Sequence, residues 1–197
     1  MTKFKPFTTT LIGSLPRTKE LLLLKESSNN SSKYEKAYKE KLLEETRRVV
    51  ELQKECGIDV IVSGELNRDN YMSYVAEVVD GIKLLNMEEV MSLTNNTDNF
   101  SKSLEEMDAA DDTMNSPICF SKLDTKKRLN DFEFGILKEL VDGDIKCTLP
   151  SPYLLTRSMW LKEVTGKVYD GRRELGEDVV ELLCNEIREL VESGAKI

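Results

Sequence analysis

Two short turns gather the residues best suited to hold a small charged ligand. Ile12-Gly13-Ser14-Leu15-Pro16-Arg17-Thr18 follows one β-rich run, and Ser63-Gly64-Glu65-Leu66-Asn67-Arg68-Asp69 follows another. Glycine in each turn lets a ligand come close to backbone N–H groups. A carboxylate at Glu65, just past a buried strand, can hold an ammonium group, while Arg17 or Arg68 can meet a carboxylate. Together they suit a small zwitterion such as an amino acid. The same spacing also fits ordinary turn chemistry at strand ends. A third turn, Thr148-Leu149-Pro150-Ser151-Pro152, closes a further run. In a parallel α/β fold all three turns open on the carboxyl-end face, where such folds place their sites.

The elements that must position these turns repeat one cadence: an amphipathic helix, a glycine, then a short β-rich run. Leu42, Val49, Leu52 and Cys56 lead to Gly57 and Ile58-Asp59-Val60-Ile61-Val62; Phe132, Ile136, Leu137 and Leu140 lead to Gly143 and Ile145-Lys146-Cys147-Thr148. Leu175, Val179, Leu182, Leu183, Ile187 and Leu190 lead to Gly194 and the last three residues. Glycine past a helix end takes the left-handed conformation that turns the chain into a strand. The repetition predicts an α/β protein with about four parallel strands, at 7–12, 58–63, 117–121 and 145–149, plus a stub at 195–197. Helices are expected over 34–56, 126–141 and 173–193. A polar insert is expected over 83–115, with one short helix at 104–107, and 27–32 reads as a low-complexity loop tip. The whole is expected to be a single domain.

Composition narrows the chemistry. The 197 residues are 40% hydrophobic and 32% charged, with a net charge of −8 and no histidine. An acidic surface repels phosphate backbones, which argues against nucleic acid. Without imidazole there is no Ser-His-Asp triad, no Cys-His pair and no histidine-bound zinc in this chain. The four cysteines form no C-x-x-C pair, and the first residues lack the apolar run of a signal peptide, so a reducing cytoplasm is expected. The longest apolar stretch, 21–24, is too short for a membrane span. Packing is the expected role of Cys56, Cys119, Cys147 and Cys184, and Trp160 reads as a helix anchor. Lys126-Lys127-Arg128 reads as a solvated helix start, and Glu44-Glu45 with Arg47-Arg48 as surface charge pairing.

The two turns carry a family resemblance. Thr9-Thr10-Leu11-Ile12-Gly13-Ser14-Leu15-Pro16-Arg17-Thr18 resembles the opening of the catalytic domain of cobalamin-independent methionine synthase. Val49-Val50-Glu51-Leu52-Gln53 and the run from Gly57 to Val62 continue the match. Ser63-Gly64-Glu65-Leu66-Asn67-Arg68-Asp69-Asn70-Tyr71-Met72 resembles that family's His-Gly-Glu-x-x-Arg-x-Asp-Met turn, with Ser63 in place of the histidine. The likeness covers essentially the whole chain and is densest before Gly81. The superfamily also includes corrinoid-linked thiol methyltransferases.

The resemblance implies an incomplete (β/α)8 TIM-type barrel, the N-terminal half of the family's barrel. It implies a methyltransferase acting on a thiol such as homocysteine, of the 5-methyltetrahydropteroyltriglutamate–homocysteine type. The backbone of Ile12, Gly13 and Ser14 and the carboxylate of Glu65 would bind the amino acid, with Arg17, Arg68 and Asp69 as secondary candidates. In the family, zinc lowers the thiol pKa so that a thiolate attacks the methyl group of a folate. The zinc ligands and the Asp-Glu-Pro strand end lie beyond position 197. This chain alone is therefore expected to hold no zinc and to be inactive, and its methyl donor, folate or corrinoid, stays open. The folate-contacting Arg-Cys segment has no counterpart around Asp112-Thr113-Met114, and the family tryptophan aligns near Ser158. A non-catalytic half-barrel that binds or scaffolds is the alternative. An open sheet edge and the apolar flank of 173–193 predict a homodimer or a complementing half-barrel.

Overall fold

The computed structural model describes residues 4–94 and 115–196. These contain helices α1 (Lys19–Asn30), α2 (Glu35–Glu55), α3 (Tyr74–Val78), α4 (Met87–Leu93), α5 (Asp131–Leu140), α6 (Pro152–Met159), α7 (Lys162–Thr165) and α8 (Arg172–Glu192), with strands β1 (Ile82–Leu85) and β2 (Ser116–Cys119). The chain divides into two compact units. The first takes residues 1–69, 130–148 and 189–197, and the second takes 70–129 and 149–188. Among the described residues no helix is long and apolar enough to cross a membrane.

In the first unit, three of the expected parallel segments lie side by side through single bridges. Thr10 pairs in parallel with Val60, and Ile61 with Ile145. The Val60 N–H donates to the Thr9 carbonyl (3.0 Å), the Lys146 N–H to Ile61 (3.0 Å) and the Lys196 N–H to Ile145 (3.2 Å). One residue further along, a side chain replaces the neighbouring strand. Buried Gln53 of α2 accepts from the Val62 N–H (3.0 Å) and donates to the Val62 carbonyl (2.8 Å), which satisfies both backbone groups where the bridge pairing has ended. Leu21, Leu42, Val49 and Leu66 pack as an apolar cluster between α1, α2 and the second turn.

Several expectations for this unit are corrected. The stretch 27–32 is not a loop tip, because α1 runs through Asn30. The side chains of Ser27, Ser28 and Asn30 bond back to the carbonyls of Leu23, Lys25 and Glu26, so small polar residues here extend a helix end. Glu45 is buried rather than on the surface. Burial pushes its carboxyl up, but hydrogen bonds from Thr18 and Arg48 and the charge of Lys41 outweigh this, and its pKa lies below the usual value. Cys56 caps the end of α2 and is exposed rather than packed. Gly57 and Gly194 take the expected left-handed backbone (φ 73° and 106°), whereas α5 ends at Val141 in extended conformation and Gly143 does not.

The second unit departs further. The segment 117–121 was expected in a parallel sheet; instead β2 runs antiparallel to β1, with Ile82 opposite Cys119 and Leu85 opposite Ser116. β1 and α4 occupy the start of the region expected to be irregular. Four residues are too few for periodicity to reveal a strand. The α4 start was legible in principle, since Asn86 accepts from the Glu89 N–H and Glu89 accepts from the Asn86 N–H, a reciprocal capping box. The expected helix at 104–107 lies outside the described residues.

Val75, Cys119, Leu155, Met159, Leu175, Val179 and Leu182 form the centre of this unit's core. Burial drives the Cys119 thiol up to about 11, which suits a packing role. Tyr169 donates to Asp178 (2.7 Å) and accepts from the Leu123 N–H (2.9 Å); burial, then the bond to Asp178, raises its phenol well above the ordinary value. The basic run 126–128 is not a helix start, because α5 begins at Asp131. Lys127 pairs with Asp80 (3.0 Å), and Arg128 donates to buried Glu186 (2.9 Å).

Candidate functional site

The first unit brings its two turns together backbone to backbone. The Leu15 N–H donates to the Gly64 carbonyl (2.9 Å), and Arg17 Nη1 donates to the Arg68 carbonyl (2.5 Å). Gly64 is required twice over. Its φ of +76° lies in the left-handed region, and a Cβ there would meet Leu15 at 3.1 Å and Val49 at 3.2 Å. A larger residue would be strained by this backbone and would require the Leu15 and Val49 side chains to give by a few tenths of an ångström.

Glu65 follows with a φ of 56°, an uncommon value for a side-chain-bearing residue. Such conformations persist where surrounding contacts enforce them, and they cluster at binding sites. The contacts are visible on both sides. The Glu65 N–H donates to Ser63 Oγ (3.0 Å), and the carboxylate accepts from Ser14 Oγ (2.9 Å) and Thr148 Oγ1 (2.8 Å). Although only 7% exposed, Glu65 lines a shallow pocket with Leu11, Ile12, Gly13, Lys146 and Thr148. Lys146 Nζ donates to the Leu11 carbonyl, which ties the start of the first turn to the fourth segment.

Of the residues singled out from sequence, Ile12, Gly13, Ser14 and Glu65 are thus brought together. Arg17, Arg68 and Asp69 stand behind the turn and do not line this pocket. Arg68, 1% exposed, grips Glu133 of α5 through two bonds of 2.9 Å, from Nε and Nη2. Asp69 pairs with Lys25 at 3.0 Å. Glu133 and Lys146 were missed by the sequence reading, and Thr148 was seen only as part of a turn. Lys146 carried one weak signal, a charge inside an otherwise buried run. Glu133 carried none, because its partners lie 65 and 70 residues away in the chain.

The profile of the family described as "Cobalamin-independent synthase, Catalytic domain" matches residues 7–138. The chain belongs to that family. A 5-methyltetrahydropteroyltriglutamate–homocysteine methyltransferase of Thermotoga sp. (strain RQ2) is 23% identical over 97% of this chain and 23% of its own length. The enzyme of the same name from Coxiella burnetii (strain RSA 331 / Henzerling II) is 36% identical over 40% of this chain and 10% of its own length. A B12-independent methionine synthase from Shewanella sp. W3-18-1, solved in complex with selenomethionine, superposes with a TM-score of 0.58 at 17% identity. That superposition covers 81% of this chain and 41% of the other, and at such identity it speaks for the α/β fold alone. This member of the cobalamin-independent synthase family therefore spans 10% to 23% of the length of these curated relatives.

Zinc, implied by the family resemblance, can be tested against the residues present. Among the described residues no group of three or more His, Cys, Asp or Glu side chains is placed to hold a metal ion, and the chain has no histidine. The described residues do not fit a zinc centre.

Proposed function

We propose that this chain is the N-terminal half of a methionine-synthase-like (β/α) barrel and binds the amino-acid end of a thiol such as homocysteine, the methyl acceptor. Glu65 takes the ammonium group. A carboxylate has about four acceptor sites, and the two hydroxyl bonds from Ser14 and Thr148 leave capacity for an ammonium donor. The backbone of Ile12, Gly13 and Ser14 takes the carboxylate, and the Ile12 side chain, 87% exposed, offers apolar surface beside it. The observation that carries this reading is a carboxylate fixed at a strand end by two hydroxyls, beside an exposed glycine turn.

Activation of the thiol and delivery of the methyl group, from a folate or a corrinoid, are assigned to no residue of this chain. In this reading it works in the cytoplasm, as a dimer or with a complementing half-barrel, and is inactive alone. Calorimetry with homocysteine and with methionine tests the proposal, alongside an assay for methionine formation from homocysteine and a methylated folate. The expected result is saturable binding of both amino acids without turnover. Absence of binding to either would refute it.

A further inference from the structure

We propose that Arg68 is a positioning residue for Glu65 and acts through the hydroxyl of Thr148. The inference rests on the reading of Glu65 as the ammonium contact. Arg68 holds Glu133 through Nε and Nη2, and it also donates to the segment carrying Thr148. Nη1 donates to Thr148 Oγ1 (3.1 Å), while Nη2 reaches the Thr148 carbonyl (3.1 Å) and Asn130 Oδ1 (3.3 Å). A hydroxyl carries a single hydrogen. Because the Thr148 oxygen accepts from Arg68, that hydrogen is directed to Glu65 Oε1, 2.8 Å away.

The direct distance from Arg68 Nη1 to Glu65 Oε1 is 3.9 Å, an ion-pair contact that is beyond hydrogen-bond reach. A direct hydrogen bond would take up a carboxylate acceptor site and compete with an ammonium ligand. The Thr148 hydroxyl, placed between them, fixes the carboxylate's position and occupies one acceptor site where the guanidinium would otherwise bond. The backbone of Glu65 traces to the same origin. Ser63 Oγ accepts the Glu65 N–H and donates to Glu133, the carboxylate that Arg68 holds. Side chain and left-handed backbone of Glu65 are therefore both referenced to the Arg68–Glu133 pair.

The test is Thr148→Val, which keeps the shape and removes the hydroxyl. Calorimetry would compare L-methionine with 4-(methylthio)butanoate, the same molecule without its amino group, and thermal unfolding would be followed in parallel. Methionine should bind about tenfold more weakly, the des-amino acid should bind as to the wild type, and Thr148→Ser should restore methionine affinity. Unchanged methionine affinity, or an equal loss for both ligands, would overturn the proposal. Should Thr148→Val not fold, Arg68→Lys, which lacks the Nη1 donor, should show the same selective loss, and an unselective loss would overturn it. Failure of the wild type to bind methionine refutes the reading of Glu65 itself. Wild-type binding with Thr148→Val unchanged refutes only the role of Arg68.

Discussion

Each unit holds an arginine–glutamate pair with at least one member buried, and the two pairs end differently. In the second unit Glu186, 0% exposed, takes Arg128 Nε and the Leu129 N–H on one oxygen, both at 2.9 Å. It follows the buried Leu182 and Leu183 by one turn of α8. In the first unit Arg68 binds Glu133 with two parallel bonds and continues through Thr148 to Glu65, which faces a pocket. Burying two charges carries a desolvation cost that their attraction only partly offsets. The first pair puts that cost into orienting a third, functional carboxylate; the second organises a chain turn.

The largest expected effect comes from Arg68→Met. It strands Glu133 next to Ser63 without its cation, which should lower unfolding stability by about 3–5 kcal/mol in urea titrations. Glu186→Gln breaks the other pair. The Arg128 side chain is 27% exposed and can turn to water, so the expected loss is smaller, about 2 kcal/mol. Methionine affinity should be untouched below the melting range. A ligand-binding loss in Glu186→Gln would erase the distinction between the pairs.

A smaller effect bounds the comparison at the surface. The N–H and the hydroxyl of Thr9, 2.8 Å from Asp59 Oδ2, hold the exposed Asp59 carboxyl below its ordinary value. A depressed pKa contributes stability above the unfolded-state value and loses it as pH falls through the folded-state value. Asp59→Asn should therefore unfold more easily than wild type at neutral pH, and the gap should close in acid. Urea midpoints across that range would show it. A gap that persists unchanged in acid would assign the effect to something other than the carboxylate charge.

The first unit was largely readable because its cues are local. Gly64 before Glu65, the helical spacing of Leu42 and Val49, and the β-rich run 58–62 each act within a few residues. The partners of Glu65 were not readable, since Ser14 and Thr148 lie 51 and 83 residues away and only the bridge pairing brings them together. The second unit hid more. β1 is four residues long, and its pairing with β2 spans a polar stretch whose composition masks both strands. The role of Arg128 was obscured by its basic neighbours, which made a half-buried cation paired with a buried carboxylate look like part of a solvated run. Local chemistry thus gave the turns, and long-range pairing decided which charges were buried.

The central claim is that Glu65 holds the amino group of a sulfur amino acid. Titration of wild type and Glu65→Gln with L-methionine in a calorimeter tests it most directly, because the substitution keeps size and removes charge. The account predicts that Glu65→Gln binds more weakly by about 2–3 kcal/mol, the scale of a lost charge-assisted hydrogen bond. Equal affinity in the two proteins would contradict it and remove Glu65 from the site.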